Sequence, residues 1–420
     1  MRGCARPRLL PVAVVLAAVV LAGCGGGKKD QKPSERKPAA SAATKRAVPP
    51  PAAPRFDPPV RFDPRAEKPI SAGDEPVLWE RFVFRTADTW NEPEEGNALQ
   101  ALDLLTGEES WRLVPKTRVR SSSTSPLVVS LGGRTVVLAA FGAEIPGVGT
   151  LPAKLAVELI AADPGTGKLL WTSTVEVGNG KGWPDRGVRL VGADDTAIVI
   201  ALGEDPAYTM VVDPATRKAR WIRELSAEGY TAGRVFGTAG ESLADRVETW
   251  DAKTGRKLWA AGFDPGREPY DYPGGPGVIV QVRLAEVVFL DAADGKVRGR
   301  LGGSTAFPGT ACLYDEVSVL VCDVRKSGLV GTQDLLAAYD VTTLKQLWKL
   351  PANGRTKPGL TGAWHGVVYA MSENGPVALD ARSGADREPN AGAAPTLVSA
   401  NGGLIAAPGR RVWTAVPAVG

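Results

Sequence analysis

Between residues 58 and 420 the apolar side chains come in short bursts, many of them β-branched, closed by Gly, Pro, Asn or Asp. SPLVVSLGGRTVVLAAFG from Ser125 and GVVYAM from Gly366 are typical. Apolar runs this short, bounded by turn residues, predict strands. One phrase recurs among them. It reads ALDLLTGEESWRL from Ala101, AADPGTGKLLWTS from Ala161, VVDPATRKARWIR from Val211 and TWDAKTGRKLWAAGF from Thr249. It continues as FLDAADGKVRGRL from Phe289, AYDVTTLKQLWKL from Ala338 and ALDARSGADREPN from Ala378. In each copy an apolar run ends at Asp; in most, a Gly follows and the apolar residues resume. An Asp side chain accepts hydrogen bonds from nearby backbone N–H groups, and Gly takes the positive φ of a tight turn. Each phrase therefore predicts a β-hairpin with a short loop.

The marker residues Asp103, Asp163, Asp213, Asp251, Asp291, Asp340 and Asp380 recur roughly 40 to 60 residues apart, with further strand pairs between them. Four short strands per unit is the pattern of a propeller blade. The expected fold class is all-β, a β-propeller. Seven phrases set a minimum of seven blades. The tail TLVSANGGLIAAPGRRVWTAVP, from Thr396, adds three strands, with Arg411–Val416 in the place of a third strand. PVRFDP, Pro59 to Pro64, is positioned to add the missing outer strand from the other end of the chain. Closing a ring in this way removes exposed sheet edges. Eight four-stranded blades is the favoured reading, with seven as the alternative.

The form apolar-apolar-Asp-x-x-[Thr/Ser]-Gly-x-x-x-Trp resembles the pyrroloquinoline-quinone-like β-propeller repeat. Asp103/Gly107/Trp111, Asp163/Gly167/Trp171 and Asp251/Gly255/Trp259 are the best matches. The Asp213/Trp221 and Asp340/Trp348 copies lack the Gly, and the Asp291 and Asp380 copies lack the Trp. Each Trp is expected on an outer strand, covering the neighbouring blade while its N–H finds an acceptor. These are packing residues, not cofactor residues.

The amino end has a different character. Arg2, Arg6 and Arg8 precede an apolar run, LLPVAVVLAAVVLAG, which is the pattern of an export signal. It closes on Leu21-Ala22-Gly23-Cys24, which resembles the bacterial lipobox. That resemblance implies cleavage before Cys24 and a lipid on its thiol. Residues 24–57 are rich in Gly, Pro, Ala and Lys/Arg, a composition expected to stay disordered as a tether. The organisation expected is a lipoprotein signal peptide over residues 1–23, a basic tether over 24–57 and a propeller over 58–420.

Composition then narrows the chemistry. At 44% hydrophobic residues the chain can bury a large core, while 49 Gly and 34 Pro interrupt it too often for long helices. The formal net charge is +4, but the excess of Lys and Arg sits in the amino-terminal stretch, and the rest of the chain is net acidic. A nucleic-acid binder would carry its positive charge on the folded part. Cys312 and Cys322, ten positions apart around Asp315-Glu316, are expected to face each other across a hairpin as a structural disulfide in an oxidising compartment. The single His, His365, is expected at the start of a strand, and one His supports neither a His-rich metal site nor a recognisable nucleophile–base pair. There is no phosphate-binding GxxxxGK[ST] loop. The quinone-dependent dehydrogenases that share the repeat often carry adjacent cysteines, and this chain has none. No catalytic residue, metal or cofactor is assigned.

What remains is binding. Three loops carry aromatics among polar residues: TADTWNEPEEGN with Trp90, GNGKGWPDRG with Trp183, and GREPYDYPGG with Tyr270 and Tyr272. These are the candidate anchors for a protein or a glycan. Tether and ring together resemble lipid-anchored propellers such as those of the outer-membrane β-barrel assembly machinery, and the extracellular sensor propellers of bacterial Ser/Thr kinases. The resemblance implies an exported, monomeric, non-catalytic protein-binding scaffold. It would be held at the outer face of the cell membrane and bind another envelope protein. A glycan- or small-ligand-binding sensor is the alternative, and a quinone-dependent dehydrogenase a distant third.

Overall fold

In the computed structural model the described residues are 54–73, 75–87, 96–122, 125–178, 187–203, 207–239, 246–262, 270–283, 286–302, 311–324, 334–406 and 412–420. Residues 50–420 form one compact unit. Within it the strands assemble into eight antiparallel sheets. Blade 1 runs from Val77 to Leu113, blade 2 from Arg118 to Glu176, blade 3 from Val188 to Glu224 and blade 4 from Ser226 to Gly262. Blade 5 runs from Tyr270 to Gly302, blade 6 from Ala311 to Leu350, blade 7 from Gly359 to Glu388, and blade 8 begins at Leu397.

The strand sequences explain the layering. Second and third strands are buried on both faces because each blade is covered by its neighbours: Val278–Val282 (VIVQV) and Val319–Val324 (VLVCDV) are buried throughout. Fourth strands such as Lys257–Gly262 are largely open. First strands of successive blades touch one another and so line the axis. The core is divided accordingly. Each of the eight seams between blades holds its own apolar cluster: Val278, Phe289, Leu320 and Tyr339 fill the seam between blades 5 and 6, and Ile70, Val83, Leu102 and Leu404 fill that between blades 8 and 1. A buried carboxylate joins two blades. Glu158, in the third strand of blade 2, accepts from the N–H groups of Lys116 and Thr117 at 2.9 and 2.8 Å and fixes the linker between blades 1 and 2.

The eighth blade has the mixed origin expected from the sequence. Leu397–Ser399, Gly402–Ala406 and Val412–Val419 supply three strands from the carboxyl end. The fourth comes from the amino end in two pieces, Arg61–Phe62 and Lys68–Ser71. Phe62 pairs with Ala418 and Ile70 with Trp413, so the two ends of the chain close the ring. PVRFDP holds only the first piece. The second, KPIS, was not legible because Pro69 and two polar neighbours hide a single buried Ile70.

Candidate binding surfaces at the two ends of the ring

Antiparallel pairing sorts the turns. Those after first and third strands lie at one end of the ring; those after second and fourth strands lie at the other. The repeated phrase builds the first of these, the turn end. In blade 1 the Asp103 carboxylate accepts from the N–H of Leu105 and Thr106, at 2.9 and 3.0 Å, and Gly107 N–H donates to the Asp103 carbonyl at 2.7 Å. Asp163, Asp213, Asp251, Asp291, Asp340 and Asp380 make the corresponding turns. The N–H of Thr216, and then the Arg220 guanidinium, hold the Asp213 carboxyl down to about 2. The Thr343 N–H and hydroxyl likewise lower Asp340. Burial pushes Asp251 and Asp380 upward, but bonds from Thr254 and Ser383 outweigh it and both end below the usual range. A depressed folded-state pKa contributes stability that is complete above the unfolded value and is lost as pH falls through the folded one. The melting temperature is therefore expected to drop between pH about 4 and about 2. Asp213→Asn, which keeps an acceptor without the charge, should reduce that slope in a pH series of thermal melts.

Each Trp of the phrase reaches into the turn of the next blade. Trp111 Nε1 donates to the Pro164 carbonyl, Trp221 to Ala252, Trp259 to Ala292 and Trp348 to Ala381, at 2.8–3.2 Å. The turn Gly of that next blade lies against the indole: a Cβ at Gly167, Gly255, Gly295 or Gly384 would stand 2.5–2.8 Å from the Trp before it. The irregular copies of the phrase are explained by this contact. Blade 6 has Leu344 in place of Gly, at φ 53°, and the residue facing it from blade 5 is Gly299 in place of Trp. Blade 3 has Arg217, at φ 59°, and its guanidinium lies 5.2 Å over the Trp171 ring. Blade 7 has Glu388, which pairs with Arg61 on the closing strand. In blade 8 the Trp position is taken by Ile70, which faces Gly107 of blade 1.

The turn end also receives the incoming chain. Phe56 N–H donates to the Ala400 carbonyl at 2.7 Å, Asn401 Nδ2 donates to the Pro54 carbonyl at 2.8 Å, and Arg55 pairs with Glu80 at 2.9 Å. These contacts strap residues 54–57 across the first-to-second turns of blades 1, 7 and 8. Beside the strap is a cavity of about 320 Å³ lined by Arg55, Asp57, Trp79, Glu80, Trp364 and His365 among others. His365 is not the start of a strand. It occupies a tight turn at φ 44°, stacks on Trp364, and places Nδ1 on Asp57 and Nε2 3.8 Å from Glu316. Its position was misread because Gly366, the next residue, completes the turn before the strand begins at Val367. Ser399 also lines the cavity, but its hydroxyl is spent on the Glu80 carbonyl rather than on the imidazole. Among the described residues no group of three or more His, Cys, Asp or Glu is arranged to hold a metal ion.

At the other, loop end lie the described strand ends that flank the aromatic candidate loops. Trp90 and Trp183 lie outside the described residues, as does Cys24. Tyr270 opens the first strand of blade 5, but its side chain is likewise outside what is described. Tyr272 packs on the blade 5–6 cluster, and its hydroxyl accepts from Cys312 N–H at 2.8 Å. Burial pushes its phenol up to about 12. Cys312 and Cys322 are direct partners in a hairpin and are bonded to each other, with Asp315 capping the turn between them. Sequence reading missed the strap, Glu158 and Ile70. The one available signal for the strap was Phe56, the single aromatic of residues 24–57.

A family model described as outer membrane protein assembly factor BamB matches residues 156–390, more than half of the chain, from the third strand of blade 2 to the end of blade 7. No curated protein matches the chain. Among solved structures, BamB from Moraxella catarrhalis is similar at 12% identity, with a TM-score of 0.42 over 83% of this chain and 98% of that one. The quinohemoprotein alcohol dehydrogenase from Comamonas testosteroni is similar at 13% identity, with a TM-score of 0.42 over 85% of this chain and 76% of that one. A europium-containing methanol dehydrogenase is similar at 11% identity, with a TM-score of 0.38 over 75% and 77%.

Proposed function

Because the chain belongs to the family of the outer membrane protein assembly factor BamB, we propose that it is a non-catalytic scaffold that binds another protein at the cell envelope. It is exported and held at the outer face of the membrane by a lipid on Cys24. The observation that carries this reading is the match of the family model from the third strand of blade 2 through the end of blade 7. Two further features support it. The polar residues of the repeat are consumed in building the ring: the Asp carboxylates cap turns and the Trp N–H groups lock seams. The lone His365 lies between two carboxylates, and the Ser399 hydroxyl in the same cavity bonds the Glu80 carbonyl. Family membership names an outer-membrane client; the proposal for this chain stops at an envelope protein. Trp90, Trp183 and Tyr270 are proposed as aromatic anchors for it.

Crosslinking the full-length chain in its own cells, followed by membrane solubilisation and peptide identification, tests the scaffold. One recurrent protein partner, reduced at least about tenfold by Trp183→Ala with Trp90→Ala, is the expected result. Wall glycan in place of protein would move the assignment to the sensor reading. Quinone- and calcium-dependent dye reduction by the purified chain would move it to the enzyme.

A further inference from the structure

Among the described residues the three most exposed large apolar side chains are Val148 at 76%, Leu151 at 67% and Val114 at 64%. All three lie at the loop end of the ring. Val148 and Leu151 sit on the connection between the second and third strands of blade 2, Arg134–Ile145 and Lys154–Ala162. Val114 follows the last strand of blade 1 and opens the linker that Glu158 holds against blade 2. Single apolar residues scattered over a surface are ordinary; the two most exposed ones sharing the tip of one short turn are not.

The connection is built, not slack. Strand pairing continues to Ile145 opposite Lys154. Leu151 N–H then donates to the Val148 carbonyl at 3.0 Å, which closes a β-turn with Gly149 at φ 60°. A Cβ on Gly147 would collide with the Leu151 carbonyl, so the loop folds back as tightly as Gly allows. Pro146 and Pro152 bracket the turn. Val148 and Leu151 thus occupy its first and last positions on a pre-organised knuckle that gives up little conformational freedom on binding. PGVGTLPA contains no charged residue. The charges at its base are paired within the blade: Arg118 and Arg120 share Glu144, and Lys154 pairs with Glu176.

We infer that this knuckle, with Val148 and Leu151 at its tip, inserts into an apolar cleft of the envelope protein that the scaffold binds. The inference rests on the scaffold reading. Two observations favour a protein over a lipid surface. The base of the tip carries three cations against two carboxylates, a surplus of one, whereas a patch that draws a loop to anionic headgroups gathers about 4–8 Lys or Arg. The chain leading back to Cys24 joins the ring at Pro54, at the opposite end, where Asn401 and Ala400 hold it.

The test places a photo-crosslinking amino acid at Val148 or at Leu151 in the full-length chain in its own cells. Val317, 59% exposed on a turn of blade 6 at the opposite end, is the control position. The expected result is an adduct to one protein, identified by its peptides, from positions 148 and 151 at about tenfold or more over position 317. Val148→Asp combined with Leu151→Asp should remove the same protein from purifications of the chain by at least about tenfold without lowering the thermal midpoint. Adducts to lipid alone, adducts to a second copy alone, or silence at 148 and 151 while position 317 traps a protein would each overturn the knuckle and leave the scaffold standing. Silence at every position would overturn the knuckle, and the scaffold falls with it only if crosslinking of the unmodified full-length chain also captures no protein.

Discussion

Removing residues 54–71 should leave the ring open and most of the protein insoluble. Those residues supply the whole fourth strand of blade 8, paired from Phe62–Ala418 to Ile70–Trp413. They also supply Ile70 and Phe62 to the clusters on either side of that blade. Without them the edge of Val412–Val419 is bare, and Leu404, Val416 and Tyr369 lose their cover. A bare, apolar sheet edge pairs with other chains. The comparison that isolates this cause is a permuted chain in which residues 58–73 follow Gly420. Arg61 already pairs with Val419, so the moved segment can return as a hairpin with the same register. Solubility and a cooperative thermal transition should be lost in the truncated chain and recovered in the permuted one. Equal solubility of truncated and intact chains would show that the termini do not close the ring.

Gly384→Leu should destabilise the protein by about 2–5 kcal/mol, and the same change combined with Trp348→Gly should cost less than the two single changes added together. The reason lies in the seam between blades 6 and 7. Gly384 is at φ 70°, and a Cβ there would stand 2.6 Å from the Trp348 ring. A side chain must pay for both the backbone region and the overlap. One seam earlier, the protein has made the opposite choice: Leu344 stands at the turn and Gly299 faces it. The double variant copies that arrangement into the next seam. Trp348→Gly alone should cost about 2–4 kcal/mol through lost packing and the vacated Ala381 carbonyl. Denaturant unfolding of the four chains measures the coupling. Strict additivity would mean that the Trp–Gly contact does not set the seam.

These two results also mark how far the sequence could be read. The hairpins were legible because Asp and Gly are local devices: Asp103 caps the turn two and three residues on, and the geometry is contained in the phrase. The eighth blade was legible because three strands without a partner require a fourth. The meaning of the defective copies was not. Gly299 and Leu344 lie 45 positions apart along the chain, and each looks like decay of the repeat until the seam brings them together. Glu158 was invisible for the same reason. Its partners Lys116 and Thr117 lie in the linker 42 and 41 positions earlier, and a lone Glu in an apolar strand names no partner. His365 was misplaced by one turn because a non-Gly residue at positive φ leaves no mark in the sequence. The knuckle of blade 2 reads in sequence as one more Gly-Pro loop. Only its order and exposure set it apart.

The most direct test of an envelope-anchored scaffold is the native mass of the full-length chain, extracted from its own membranes in mild detergent. The account predicts a protein that begins at Cys24, carries the added mass of lipid, and travels in a complex of fixed stoichiometry with one other envelope protein. A lipid-free chain, or an anchored chain that is always alone, would contradict it.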